Sequence, residues 1–187
     1  MKILVQSIMI VTIVSLMTSC LVDSSNPVAG TSVDPTPYTG TWECVKVWDS
    51  SEGTNDPGFL KIIAATNGSL TCTTMFNGLT NVSEPLILIQ VSGQVVASVS
   101  NSVSGKWRIF GVSLANGGTN LLVNLADSDL LEPDITNGVI QGVVSQISPD
   151  DYRSSLTATG EAIRDYLTTH TNVFGHNEEF LYLKKVQ

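Results

Sequence analysis

The chain has 187 residues, 42% of them hydrophobic and 14% charged, and nine basic against seventeen acidic residues give a formal charge of −8. That length suits one domain with at most an appendage. The shortage of Lys and Arg argues against nucleic acid as a partner, since binding phosphates takes clustered cations, and the apolar content excludes a disordered chain.

Met1-Lys2 opens the chain, and an apolar stretch from Ile3 to Met17 follows, broken by Gln6, Ser7, Thr12 and Ser15. It is shorter than the ~20 residues a membrane-spanning helix needs. A charged start, an apolar run and small residues before a cleavage point describe a secretory signal. Leu16-Met17-Thr18-Ser19-Cys20 resembles the lipobox of bacterial lipoproteins, with Met17 three residues before the cysteine and Thr18 and Ser19 at the small positions. The resemblance implies a signal peptide over 1–19, cut before Cys20, and palmitate-type acylation of that cysteine as a membrane anchor. Each buried acyl methylene contributes ~0.8 kcal/mol to such an anchor. The residue after the cysteine is Leu21, not the Asp that holds similar lipoproteins at an inner membrane. In a host with two membranes, the resemblance therefore implies the outer one. The alternative is an ordinary signal peptide in which Cys20 is incidental.

Residues 21–37 are rich in Ser, Thr, Asp, Gly and Pro and show no apolar period. With Cys20 they read as a flexible tether over 20–37, holding the remaining domain (38–187) about 20–25 Å from the anchor.

From Thr39 onward, β-branched runs alternate with turn residues. Strands are predicted at Thr39–Trp48, Phe59–Ala65, Leu70–Phe76, Leu86–Val91, Gln94–Val99, Lys106–Leu114, Asn120–Leu125 and Val139–Ile147. Asn67-Gly68 predicts a tight hairpin, because both central residues of such a turn take positive φ. Strands at this spacing make an all-β antiparallel barrel of about eight strands, with a β-sandwich as the alternative. Leu86, Ile87, Leu88 and Ile89 are too uniformly apolar to assign to one face. Near the end, Thr159 caps a predicted helix over Gly160–Thr169, with Ala162, Ile163, Tyr166 and Leu167 on one face. A final strand, Glu179–Val186, is predicted to bring the chain back into the sheet.

Gly40-Thr41-Trp42 at the first strand resembles the Gly-x-Trp motif that opens lipocalins and related calycin barrels, and the order of strands, helix and short strand is similar. The resemblance implies an up-and-down barrel whose tryptophan closes one end. A cation from Lys184 or Lys185 would pack over the ring, with lysine where the family carries arginine. The Thr-Asp-Tyr-like element of the family has no counterpart at the expected place; Asp150-Asp151-Tyr152 follows the eighth strand. An eight-stranded barrel is either filled by its side chains or holds one small ligand, and the sequence leaves that open.

Cys44 and Cys72 are candidates for a disulfide in an oxidising compartment, contributing ~3 kcal/mol. A plain three-strand meander instead puts them on either side of one strand, about 9–10 Å apart. That exceeds the ~7 Å reach of a bridge, so both arrangements stay open. His170 and His176, with Glu178 and Glu179, match no established metal spacing, and no metal or cofactor is expected. Asp127, Asp129, Glu132 and Asp134 crowd one segment without the spacing of a calcium loop; they read as a solvated loop and the best candidate for a functional rim. Trp48 and Trp107 read as core aromatics. No nucleophile elbow or phosphate cradle occurs, so an enzyme is not expected. The expected function is non-enzymatic binding of a small hydrophobic molecule or lipid by an envelope lipoprotein. The alternative is a structural lipoprotein contacting another envelope or surface protein.

Overall fold

The computed structural model describes residues 22–47, 58–65, 68–76, 79–80, 83–148, 151–174 and 181–186. The signal segment, Cys20, Asn67, Trp48, Asp150, His176, Glu178 and Glu179 lie outside the described residues. The strands are, in chain order, β1 (Asp23–Ser24), β2 (Thr31–Ser32), β3 (Gly40–Val47), β4 (Phe59–Ala64), β5 (Leu70–Phe76), β6 (Leu79–Thr80), β7 (Glu84–Val91), β8 (Gln94–Asn101), β9 (Lys106–Ala115), β10 (Asn120–Leu125), β11 (Gly142–Ser148), β12 (Asp151–Leu156) and β13 (Leu181–Val186). Two α-helices accompany them among the described residues: α1 (Ser128–Thr136) between β10 and β11, and α2 (Gly160–Thr169) between β12 and β13. None of the described helices is long and apolar enough to cross a membrane.

Eight strands close an antiparallel barrel in the order β10-β13-β3-β4-β5-β7-β8-β9, and β9 returns to β10. This is the all-β barrel expected from the strand spacing, and not the sandwich. Its eighth strand, however, is β13, the last strand among the described residues. The run expected as the eighth strand, Val139–Ile147, begins at Gly142 and lies outside the barrel as β11, paired only with β12. Pattern alone does not separate the two runs, because both alternate well enough for a half-buried strand. Leu181–Val186 fills the gap because it bonds on both edges, to β3 and to β10.

The segment 22–37 is not a free tether. Val22 is 2% exposed, and Asp23 and Ser24 pair with β9 on one side and β12 on the other. Val28 is also buried, with its amide bonded to Ser98 Oγ. The strands here are only two residues long, too short to leave a period in the composition. β1, β12 and β11 thus form a three-stranded flap that continues the barrel sheet where β10 leaves β9.

Among the described residues there are two apolar cores. One fills the barrel around Trp42, Leu121 and Leu183. The other lies outside, where Ile163, Tyr166 and Leu167 of α2, Leu131 of α1, Val22 and Val28 pack on Ile89, Val91, Val96 and Ile109. β7 therefore buries both faces: Leu86 and Leu88 turn inward, Ile89 and Val91 outward. A strand covered on both sides reads as a continuous apolar run, which is why no single face could be read for it. Gly111 belongs to the outer face. A Cβ there would sit 2.7 Å from Cβ of Phe174, so the close approach of that ring to the strand requires glycine.

The β4–β5 connection carries one residue more than a two-residue turn. Ala65 N bonds Ser69 O, and Ala64 pairs with Leu70. Cys72 consequently faces Ile62.

Candidate functional site

At one end of the barrel, Trp42 is completely buried, and its Nε1 donates to the Tyr38 carbonyl at 2.9 Å. Leu183 points into the barrel, so Lys185, two residues on, lies on the same side. Its Nζ stands 5.0 Å from the Trp42 ring centroid and donates to the Pro37 carbonyl at 3.3 Å. A cation over an indole contributes ~0.5–1 kcal/mol where it is solvent-exposed. Lys184 is on the other face, opposite Glu43 in register. Gly40 has φ +131°, and a Cβ there would meet Lys185 Cε at 3.0 Å, so the lysine crosses the strand where no side chain stands.

Cys44 and Cys72 are both buried inside the barrel and are not bridged. β4 runs between them: Cys72 faces Ile62, whereas the Cys44 amide bonds Gly58, four residues along. The strand spacing alone separates them by about 9–10 Å, beyond the ~7 Å limit, so the meander excludes the disulfide. Burial pushes the Cys72 thiol up to about 11, helped by the nearby Glu84 carboxylate.

Val99, Phe110 and Leu181 pack against the inner core yet remain partly exposed. So do Val33, Leu60, Val95 and Leu114, and the inner core therefore has a partly exposed apolar margin spread over several strands.

The four clustered carboxylates do not act together, and their segment is a helix where a loop was expected. Asp127 caps α1, its Oδ1 accepting the Asp129 amide at 2.8 Å, and Asp129 occupies the first turn at the positive end of the helix dipole. Pro133 inside the run hides the helix from a pattern reading, since proline normally breaks one. Glu132 serves through its backbone, its carbonyl accepting Thr136 Oγ1. Asp134 meets two other ionisable groups. Its Oδ2 accepts the Tyr166 hydroxyl at 2.7 Å and lies 3.6 Å from His170 Nε2. The Tyr166 and His170 rings stack at 4.1 Å, and His170 Nδ1 lies 3.0 Å from the Tyr166 carbonyl. Burial, then the Asp134 hydrogen bond and charge, hold the Tyr166 hydroxyl well above its ordinary range. These groups, with Asp129, Leu130, Pro133, Asn172 and Val173, line an open cleft of about 270 Å³ between the helices. The Tyr-x-x-x-His spacing at 166 and 170 was the available signal for this stack, because it places both rings on one helix face. Among the described residues no three metal-ligating side chains converge.

Comparison of the chain with family models, with curated proteins and with solved structures finds no match.

Proposed function

We propose that the chain is a lipid-anchored lipoprotein of a bacterial cell envelope whose barrel binds a small hydrophobic molecule or lipid without catalysis. The carrying observation is the barrel itself: eight closed antiparallel strands around an apolar interior, with Trp42 buried in it beneath Lys185. A concave apolar surface with few polar groups is the usual form of a ligand site. The anchor rests on the lipobox-like Leu16–Cys20, and the outer membrane on Leu21.

A second reading, a lipoprotein that contacts another envelope protein, is favoured by apolar side chains left at the surface, above all Val103 at 95% exposure, with Val139 and Val143.

Two measurements test these readings. Cys20→Ala should abolish labelling by radioactive palmitate and release the protein from membranes; retained label rejects the anchor. Native mass spectrometry of protein taken from its own envelope should show a small molecule bound near stoichiometry. A clean apo mass in repeated preparations rejects the carrier and leaves the protein-contact reading, which crosslinking then addresses.

A further inference from the structure

The cleft between α1 and α2 lies outside the barrel, and its wall carries two hydrogen-bond acceptors side by side. His170 supplies the first. Thr169 Oγ1 donates to the Tyr166 carbonyl at 3.0 Å and so turns a lone pair to His170 Nδ1, 2.9 Å away. The Tyr166 carbonyl, 3.0 Å from the same nitrogen, is an acceptor as well. Two acceptors around Nδ1 place the proton of the neutral ring there and leave Nε2 with a bare lone pair. Asp134 supplies the second acceptor. Its Oδ2 lies 3.6 Å from that Nε2 and takes the Tyr166 hydroxyl at 2.7 Å, while its Oδ1 makes no hydrogen bond among the described residues. The His170 and Asp134 side chains are 37% and 25% exposed, so solvent reaches both. A neutral imidazole lone pair and a carboxylate thus face each other, and a donor seated beside both satisfies them together.

The surroundings decide the kind of donor. The titratable groups lining the cleft are Asp129 and Asp134 on α1 and Tyr166 and His170 on α2. The turn Thr171–Phe174 adds none, no Lys or Arg lines the cleft, and Arg164 of α2 is engaged with Asp165. A cation is therefore favoured over an anion. A hydroxyl has one proton and serves one acceptor, whereas an ammonium has three N–H donors and a charge, and reaches Nε2 and the carboxylate together. Leu130, Pro133 and Val173 offer apolar wall to a short alkyl chain. The volume of about 270 Å³ admits only a small ligand. Among the described residues no three metal-ligating side chains meet, so the donor set does not suit a metal ion.

We propose that this cleft binds a small primary alkylamine in its ammonium form, its N–H groups on His170 Nε2 and Asp134 and its chain against Leu130, Pro133 and Val173. The site is separate from the barrel and stands whether or not the barrel holds a ligand. A proton competes with the amine. Once protonated, Nε2 becomes a donor to Asp134, and its charge repels the ammonium, so binding weakens as pH falls through the ordinary histidine range.

The test titrates the isotope-labelled full chain in detergent with n-butylammonium, tetramethylammonium and butan-1-ol, followed through the amide resonances by NMR. At about pH 8, n-butylammonium should shift the amides of Asp134, Tyr166 and His170 saturably, and it should bind at least about fivefold more weakly at about pH 5. Tetramethylammonium has the charge without an N–H donor, and butan-1-ol has a donor without the charge; each should bind at least about tenfold more weakly. Asp134→Asn and His170→Phe should cost a similar factor, the phenyl ring keeping the stack on Tyr166 while removing the nitrogen. No saturable shift with n-butylammonium overturns the proposal. So does a response to either control equal to that of n-butylammonium, which would reduce the site to nonspecific attraction or apolar contact. Binding that is unchanged or tighter at about pH 5 overturns it without any variant. Should Asp134→Asn melt early, His170→Phe decides: unchanged affinity in protein with a native melting curve rejects the site.

Discussion

Gly40 and Cys72 carry sharp consequences of single positions. At φ +131° an L side chain is strained, and a Cβ would also displace Lys185 from its path to Trp42. Gly40→Ala should therefore cost about 1–3 kcal/mol, read as a lower urea midpoint with an unchanged slope. A midpoint equal to wild type would mean that the strand entry relaxes without loss. Cys72 sets a pH dependence. Its thiol holds its proton up to about 11 in the folded protein, against 9.0 for the ordinary thiol. Between those values the folded state binds more protons than the unfolded state, so stability falls as pH rises. The contribution is complete below pH 9 and lost through pH 11, on the order of 2 kcal/mol. Cys72→Ala should flatten that part of a stability–pH curve measured by denaturant titration. The Tyr166 hydroxyl, also raised, adds a loss of the same sign at higher pH, which the substitution leaves in place.

The helices differ in how they hold the barrel. α2 runs over Gly160–Thr169 as expected, with Thr159 Oγ1 accepting the Ala162 amide at 3.3 Å and Glu161 in the first turn. Ile163, Tyr166 and Leu167 are buried, whereas Ala162, expected on the same face, is exposed. The buried stripe is thus narrower than the apolar one. Thr159→Ala should cost ~1 kcal/mol, seen in thermal unfolding, and Thr159→Asp should restore it because both side chains accept the same amide. α1 is held differently: a capping Asp127 and two buried residues, Leu131 and Ile135, outweigh the proline in its middle. Tertiary burial overrides local propensity in that element.

Over the whole molecule, the first described residues bind the flap to the barrel. β1 is two residues long but bridges β9 and β12, and Val22 behind it lies in the outer core. Val22→Asp should cost at least ~2 kcal/mol, the worth of burying one such side chain plus the desolvation of a carboxylate. A true tether would tolerate the change, so an unaltered melting temperature would mean that the flap stands without it. The same packing shortens the reach of any anchor at Cys20. Two residues span at most ~7 Å, well short of the ~20–25 Å of a free linker.

Short-range chemistry was legible in the residues themselves. Strand positions and the Thr159-capped helix follow from alternation and capping oxygens, properties of neighbouring residues, whereas the cover of Trp42 by a late lysine was implied by the resemblance of the Gly-x-Trp opening. Whether Lys184 or Lys185 covers the ring was decided by the register of β13 on β3. The choice of β13 over β11 as the eighth strand, the packing of 22–37 and the exclusion of a Cys44–Cys72 bridge likewise came from pairings between distant parts of the chain. Such pairings depend on which edge is left open once the other strands have docked, and an open edge has no signature in local sequence.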